Sequence, residues 1–379
     1  MKSLSELISL IRFPLCILVV FQHSNFLHGI QSQGERIYIQ CANAESMILF
    51  FSHIIAHSAV PLFFLISGFL FSFNIQRYSR LEYITKLKKR TKSILLPYLM
   101  WNILAELVLW IKYRPFMSSL FPQYTGLSFP YDSLLQDMYV VVRQVGGVCM
   151  SDVPQTPING PLWFIRDLYM MFLLIPFFML ISKEKYRTIV ILLLFSIWFF
   201  DILPPFLFPG ISTLGLAFFF LGFELGLRKY IISNKYFFIL KINIPLYICL
   251  SIFNILTTTI DVYTGKSIIT HITILHHINI VSGVFLIIYL ANSISNYSYV
   301  KKYIIELGGS TFFIFALHNI INGNILSVLL KVFDFNVHSF SSVISLYFLY
   351  VITTIMFCLL LYRCLQRTII LKLLTGNRT

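Results

Sequence analysis

Ten separate runs of mainly apolar residues divide this chain, and no other feature restricts its fold as strongly. A membrane-crossing helix needs about 20 such residues to span about 30 Å of hydrocarbon. The runs lie at roughly 8–28, 49–74, 94–111, 162–181, 188–207, 211–227, 242–262, 270–291, 310–330 and 340–362. The sixth is short, and the seventh is interrupted by Asn243, Pro245 and Asn254. Composition agrees with lipid as the main solvent. The chain is 58% hydrophobic and 12% charged, about half the charge of a soluble domain. The expected fold class is therefore all-α: a polytopic integral membrane protein forming one membrane-embedded domain over 1–379.

Charge fixes the expected orientation. Basic residues collect in cytoplasmic loops. With both termini inside, 21 of the 29 Lys and Arg fall in inner segments and six in outer ones, leaving Arg12 and Arg166 within runs. That split predicts N-in, C-in and an even number of spans. It also accounts for the net charge of +14 without nucleic acid, since no basic stripe carries interleaved aromatics that would stack bases. The first run has only Lys2 before it, is interrupted by Arg12 and lacks a small-residue cleavage site, so it reads as a retained helix. The one long outer loop, about 112–161, contains Asp132, Asp137 and Asp152 and suits either a sugar or a surface cover. Cys41 and Cys149 fall in expected outer loops, where an oxidising compartment would permit a disulfide. No CxxC or Cys/His zinc spacing occurs.

Ionisable residues inside spans are costly and point to function. Arg12 and His23 are separated by ten residues on the first helix. Eleven steps of helix place them about 16 Å apart on one stripe. Taken singly, Arg12 could snorkel to the inner headgroups and His23 could be a packing residue; their shared face weakens both readings. The second run holds Pro61, which frees a backbone carbonyl, and Ser67-Gly68, which permits close helix approach. His53 and His57 have metal-ligand spacing but no evident third ligand, so no metal is expected. Pro161 and Trp163 suit the start of the fourth span, after which Arg166 and Asp167 enter the outer membrane half near the depth of His23. Asp167 could orient His23, or serve other helix contacts. His318 falls in the inner half of the ninth run. Glu106 and Glu224 have no assigned partner, and the sequence gives no account of His276 and His277.

Five segments, in order, resemble the membrane-bound acyltransferase type 3 family over nearly the whole chain. They are Arg12 to His23, Val60 to Phe69, the basic run through Lys89-Arg90 to Pro97-Tyr98, Pro157 to Leu168, and Ser310 to His318. The family includes O-acetyltransferases of bacterial surface glycans. The resemblance implies essential roles for Arg12 and His23. It maps the family's Ser-Gly to Ser67 and Gly68, and its Trp-Phe to Trp163 and Phe164. Some members carry a fused soluble hydrolase-like domain; the 17 residues after the tenth run leave no room for one here.

The resemblance implies acetyl-CoA as co-substrate and a location in the bacterial inner membrane, among membrane lipids. The basic loop Arg77–Lys92 would attract the anionic donor, with Lys89, Arg90, Arg12, Ser67, Gly68 and His318 as donor-side candidates. Arg12 offers a rigid fork of donors to a phosphate or amide. His23, as a general base near neutral pH, would deprotonate a hydroxyl of a glycan or glycan-lipid acceptor; a covalent acyl-histidine is the second route. Ser67, Arg166 or His318 could stabilise the oxyanion. Trp163, Phe164 and Arg166 would support the substrate. A transporter or flippase of a lipid-linked glycan or small molecule is the competing class, because proton relays use the same residue types. Against it, no internal repeat is visible. A receptor or scaffold would leave Arg12 and His23 without a role. The sequence does not identify the acceptor, the acyl chain or the oligomeric state.

Overall fold

The computed structural model describes residues 4–26, 30–32, 35–73, 75, 79–117, 138, 144–145, 148–149, 156–182, 184–229, 234–264, 269–333 and 335–376. It is mostly helical, with three short antiparallel hairpins at Ile30–Ser32/Glu35–Ile37, Gln144–Val145/Val148–Cys149 and Phe206–Phe208/Ile211–Ser212. Most of the long outer loop, with Asp132, Asp137 and Asp152, lies outside the described residues. Cys41 carries a free thiol, and the side chain of Cys149 is also outside them.

Each apolar run of the sequence contains a helix. Among the described residues, seven helical stretches are long and apolar enough to cross a bilayer: Glu6–His23, Ala42–Ser72, Arg80–Lys112, Leu240–Thr257, Ile274–Ile294, Ser298–Val332 and Phe340–Leu365. An eighth is a pair, Gly160–Leu173 and Ile175–Ile181, bent by 55°. Pro176 explains the bend, since it has no N–H for the carbonyl of Phe172 and its ring crowds that carbonyl. The runs at 188–207 and 211–227 become shorter helices, Tyr186–Phe199 and Thr213–Leu227. The first stops early because Asp201 takes a left-handed backbone (φ 48°) and Pro204-Pro205 cannot continue a helix. The chain is thus a polytopic membrane protein. Exposed Leu, Ile and Phe side chains, such as Leu193, Ile252, Phe253 and Leu360, face outward where a soluble protein would place polar groups.

Helix α1 (Leu4–His23) runs through the middle of the bundle. The next element begins as α2 (Ala42–Leu49), passes through a π-helical turn (Phe50–Ile55) and a 3₁₀ turn, and continues as α3 (Ala59–Ser72). The third repeats the pattern: α4 (Arg80–Arg90), a π-helical turn (Thr91–Leu95) and α5 (Leu96–Lys112). In each case a proline follows, Pro61 and Pro97. A proline cannot donate to the carbonyl four before it; for Pro97 that is Ser93, inside its widened turn, and for Pro61 it is His57, inside the 3₁₀ turn. The later helices are α6 (Trp163–Leu173), α7 (Ile175–Ile181), α8 (Glu184–Phe199), α9 (Thr213–Leu227), α10 (Asn234–Thr264), α11 (Ile269–Ile294), α12 (Ser298–Leu307), α13 (Thr311–Val332), α14 (Phe340–Leu365) and α15 (Ile369–Thr375).

Two packing features position the site. Helices α3 and α9 touch backbone to backbone: a Cβ on Gly68 would fall 2.2 Å from the Phe219 carbonyl oxygen, and one on Gly222 2.0 Å from that of Leu65. Ser72 Oγ donates to the Phe223 carbonyl at 2.7 Å. Helix α1 is held against α3, α11, α12, α13 and α14. Its last carbonyls are orphans of the helix and are met by side chains. Tyr347 donates to Phe21 O at 3.0 Å, and Asn322 Nδ2 donates to His23 O at 3.1 Å. Glu224, unassigned from sequence, accepts from the Ser182 hydroxyl and pairs with Arg228 at 3.4 Å.

Candidate functional site

Helices α1 and α13 run side by side in the same direction. Cys16 Sγ donates to the Thr311 carbonyl at 3.3 Å. Seven residues further along each helix, the rings of His23 and His318 lie with centroids 5.4 Å apart, tilted by 49°. Equal steps on both helices keep the two contacts in register. His318 is therefore level with His23, whereas the sequence places it in the inner half of its span. The register of α13 against α1, which the sequence does not show, sets this level.

His318 is fully buried and His23 partly so. Nδ1 of His318 lies 3.1 Å from the Ile314 carbonyl oxygen. A carbonyl only accepts, so Nδ1 carries the proton, and in the neutral ring Nε2 holds a lone pair. That Nε2 is buried with no hydrogen-bond partner among the described residues. The tautomer is thus set by the helix, and an acceptor atom is presented beside His23.

Towards the N-terminal end of α1 lies a cavity of about 320 Å³. Arg12, Ser67 and Arg90 line it, with Gly308, Gly309 and Thr311 from the turn that opens α13. The structure thus brings together three donor-side residues expected from the sequence. Arg90 is also stacked on Phe172, its guanidinium carbon 5.3 Å from the ring centre. Neither Arg12 nor Arg90 makes an ion pair among the described residues. Two guanidinium groups in a largely apolar hollow repel each other and favour an anion between them.

The remaining candidates are placed differently. Gly68 is committed to the α3–α9 contact and is not a lining residue. Lys89 is exposed on the last turn of α4, next to Arg90. Phe164 lines the cavity, while Trp163 packs edge-on against Phe206 at 5.2 Å. Arg166 and Asp167 form a buried pair in which Nε and Nη2 both reach Oδ1, at 3.2 and 3.0 Å. Ser212 lies beside the same carboxylate. The contacts seen for Asp167 thus run to Arg166 and Ser212, and those of the His23 ring to His318.

His53, His57, His276 and His277 form their own cluster. His57 Nδ1 and His276 Nε2 are 2.8 Å apart, His53 contacts Ser52 at 3.1 Å, and His277 donates from Nδ1 to Phe199 O at 2.9 Å. Among the described residues no group of three or more His, Cys, Asp or Glu could hold a metal ion; His57 makes a contact between helices with His276.

Two residues not singled out from sequence fix the geometry. Asn159 accepts no role from spacing alone, yet it is buried, donates from its backbone N–H to Asn102 Oδ1 at 3.1 Å and from Nδ2 to Ala316 O at 2.8 Å. It ties the entry of α6 to α5 and α13. Asn322, one turn past His318, holds the end of α1 as described above and accepts from Thr354 at 3.3 Å. Their only sequence signal is a polar residue within an apolar or proline-bounded stretch.

Comparison with known families matches the "Acyltransferase domain" of the acyltransferase type 3 family to residues 7–363, nearly the whole chain. No curated protein and no solved structure gives a match. The match takes in both arginines of the cavity and both histidines of the pair, on helices built to cross a bilayer. The chain belongs to the acyltransferase type 3 family and is a membrane acyltransferase.

Proposed function

We propose that the protein transfers an acyl group, acetyl by preference, from cytoplasmic acyl-CoA to a hydroxyl of a glycan or glycan precursor at or across a bacterial inner membrane. The observation that supports this reading is that Arg12 and Arg90 line one cavity, with Arg12 on the same helix, α1, that brings His23 to His318 on α13. An anionic donor with a thioester at the end of a long arm has the matching shape: charge at one end and a reacting carbonyl at the other.

In this mechanism Arg12 and Arg90 bind the anionic part of the donor, with the exposed basic face of α4 drawing it in. His23 takes the proton of the acceptor hydroxyl. The hydroxyl oxygen bonds to the thioester carbon, the carbon–sulfur bond breaks, and His23 returns the proton to the departing thiolate. The free Nε2 of His318 supports His23 while that ring is cationic. Asn322, bonded to the His23 carbonyl, and Tyr347, bonded to that of Phe21, hold the ring in place.

The test is mass spectrometry of surface glycans in a deletion strain carrying either the wild-type gene or His23→Ala at matched membrane levels. Acetyl groups are expected with the wild type and absent with the variant. Normal acetylation by His23→Ala would remove His23 from the chemistry. Absence of acetyl groups in both strains would rule out a surface glycan as acceptor.

A further inference from the structure

The cavity and the histidine pair have one phenyl ring in common, that of Phe315. Phe315 and Phe164 both line the cavity, and each is 5% exposed. The Phe315 ring lies 6.3 Å from that of His318, while neither His23 nor His318 lines the cavity. Phe164 packs on Phe315 at 6.0 Å, on Phe63 at 5.6 Å and edge-on to Phe64 at 4.8 Å, so it is braced from α3. On α13, Thr311, Phe315 and His318 follow at steps of four and three and therefore share one face. The hollow has cations at Arg12 and Arg90, with Phe172 against Arg90, and Phe315 about two helical turns on from Gly308.

We propose that Phe315 and Phe164 are the acyl stop of the enzyme: the rings against which the acyl chain ends, with its carbonyl turned towards the His23–His318 pair, and the surface that limits the length of the acyl group. This rests on the acyl-CoA reading above. A donor anchored by its anionic groups at Arg12 and Arg90 points its acyl end at these two rings. Braced rings at close-packed density do not yield to an added methylene without strain. A short acyl group is accepted on that account, and a longer one is rejected by the wall rather than by the chemistry. One methylene in an apolar pocket is worth about 10- to 200-fold in discrimination, so two ring positions suffice for a sharp cut-off.

The experiment measures dissociation constants of acetyl-, propionyl- and butyryl-CoA for the detergent-purified full chain, with no acceptor present. The wild type is expected to bind acetyl-CoA more tightly than butyryl-CoA. Phe315→Leu should move the propionyl-to-acetyl affinity ratio upward by about tenfold. Phe315→Ala should do the same for butyryl-CoA, and Phe164→Leu should shift both ratios in the same direction. Each ratio comes from one preparation, so loss of folded protein cancels, and the two leucine variants keep the surface apolar. If Phe315→Leu and Phe164→Leu both keep the wild-type ratios, these rings are not the acyl stop, and the donor reading stands. If the wild type binds none of the three thioesters, the donor reading fails and takes the acyl stop with it.

Discussion

At the scale of single residues, the chemistry of the site comes from what each side chain lacks. Arg12 and Arg90 share a cavity without an acid to pair with among the described residues. His318 spends one nitrogen on its own helix and keeps the other free. Arg166 and Asp167 are the opposite case, since they are buried and paired with each other. This difference separates three variants. Arg90→Ala removes a charge-assisted contact to the donor, worth about 1.5–3 kcal/mol, and should raise the donor's dissociation constant at least tenfold. His318→Ala should leave donor binding intact and lower kcat by about 10²–10⁴. Asp167→Asn deprives buried Arg166 of its carboxylate, a loss on the order of 3–5 kcal/mol. It should lower the unfolding temperature in detergent while the folded fraction keeps its turnover. Steady-state kinetics beside a thermal unfolding curve read all three. A kcat for folded Asp167→Asn as low as that of His318→Ala would give Asp167 a direct part in orienting His23.

At the scale of helices, position is set by prolines and small residues. Pro61 and Pro97 each follow a π-helical turn, and these turns shift the rotation of the helix that comes after. Through the first, α3 presents Phe63 and Ser67 to the cavity and Gly68 to α9. Gly68 and Gly222 matter through space: any Cβ there meets a carbonyl oxygen of the facing helix at 2.0–2.2 Å. Gly323, in the middle of α13, has nothing within 4 Å of a built Cβ. Gly222→Ala should therefore abolish a monodisperse peak in size-exclusion chromatography from detergent. Gly323→Ala should keep the peak and add about 0.5–1 kcal/mol through reduced unfolded-state freedom. If both variants behave alike, backbone contact between α3 and α9 is not what holds them together.

At the scale of the whole molecule, the chain is a bundle wrapped around α1 and faced with apolar side chains. On the topology expected from the sequence, its basic residues fall on one set of segments by 21 to six. On that set Lys301 pairs with Glu6 and joins the start of α12 to that of α1. N-in and C-in with ten crossings predicts that a fluorescent protein fused to the C-terminus is bright. A periplasmic phosphatase placed after α13, near His338, should be active, and one placed at Lys229 inactive. An active phosphatase at Lys229 would reverse the assignment for the preceding short helices.

Hydrophobic runs, charge asymmetry and the single-helix stripe from Arg12 to His23 follow from the sequence alone, because each is a local sum or a fixed helical period along one stretch of chain. The helical runs and the membrane class were legible for that reason, and so was the family, whose signal is a set of short ordered segments. The partners of these residues were not legible. Arg90 shares a cavity with Arg12, His318 stands level with His23, Ser182 and Arg228 receive Glu224, and Phe315 borders both the cavity and His318. Each of these depends on how one helix is rotated and shifted against another. That is fixed by the interlocking of glycines, prolines and aromatic rings from segments far apart in the chain, and it exists only once the bundle has formed.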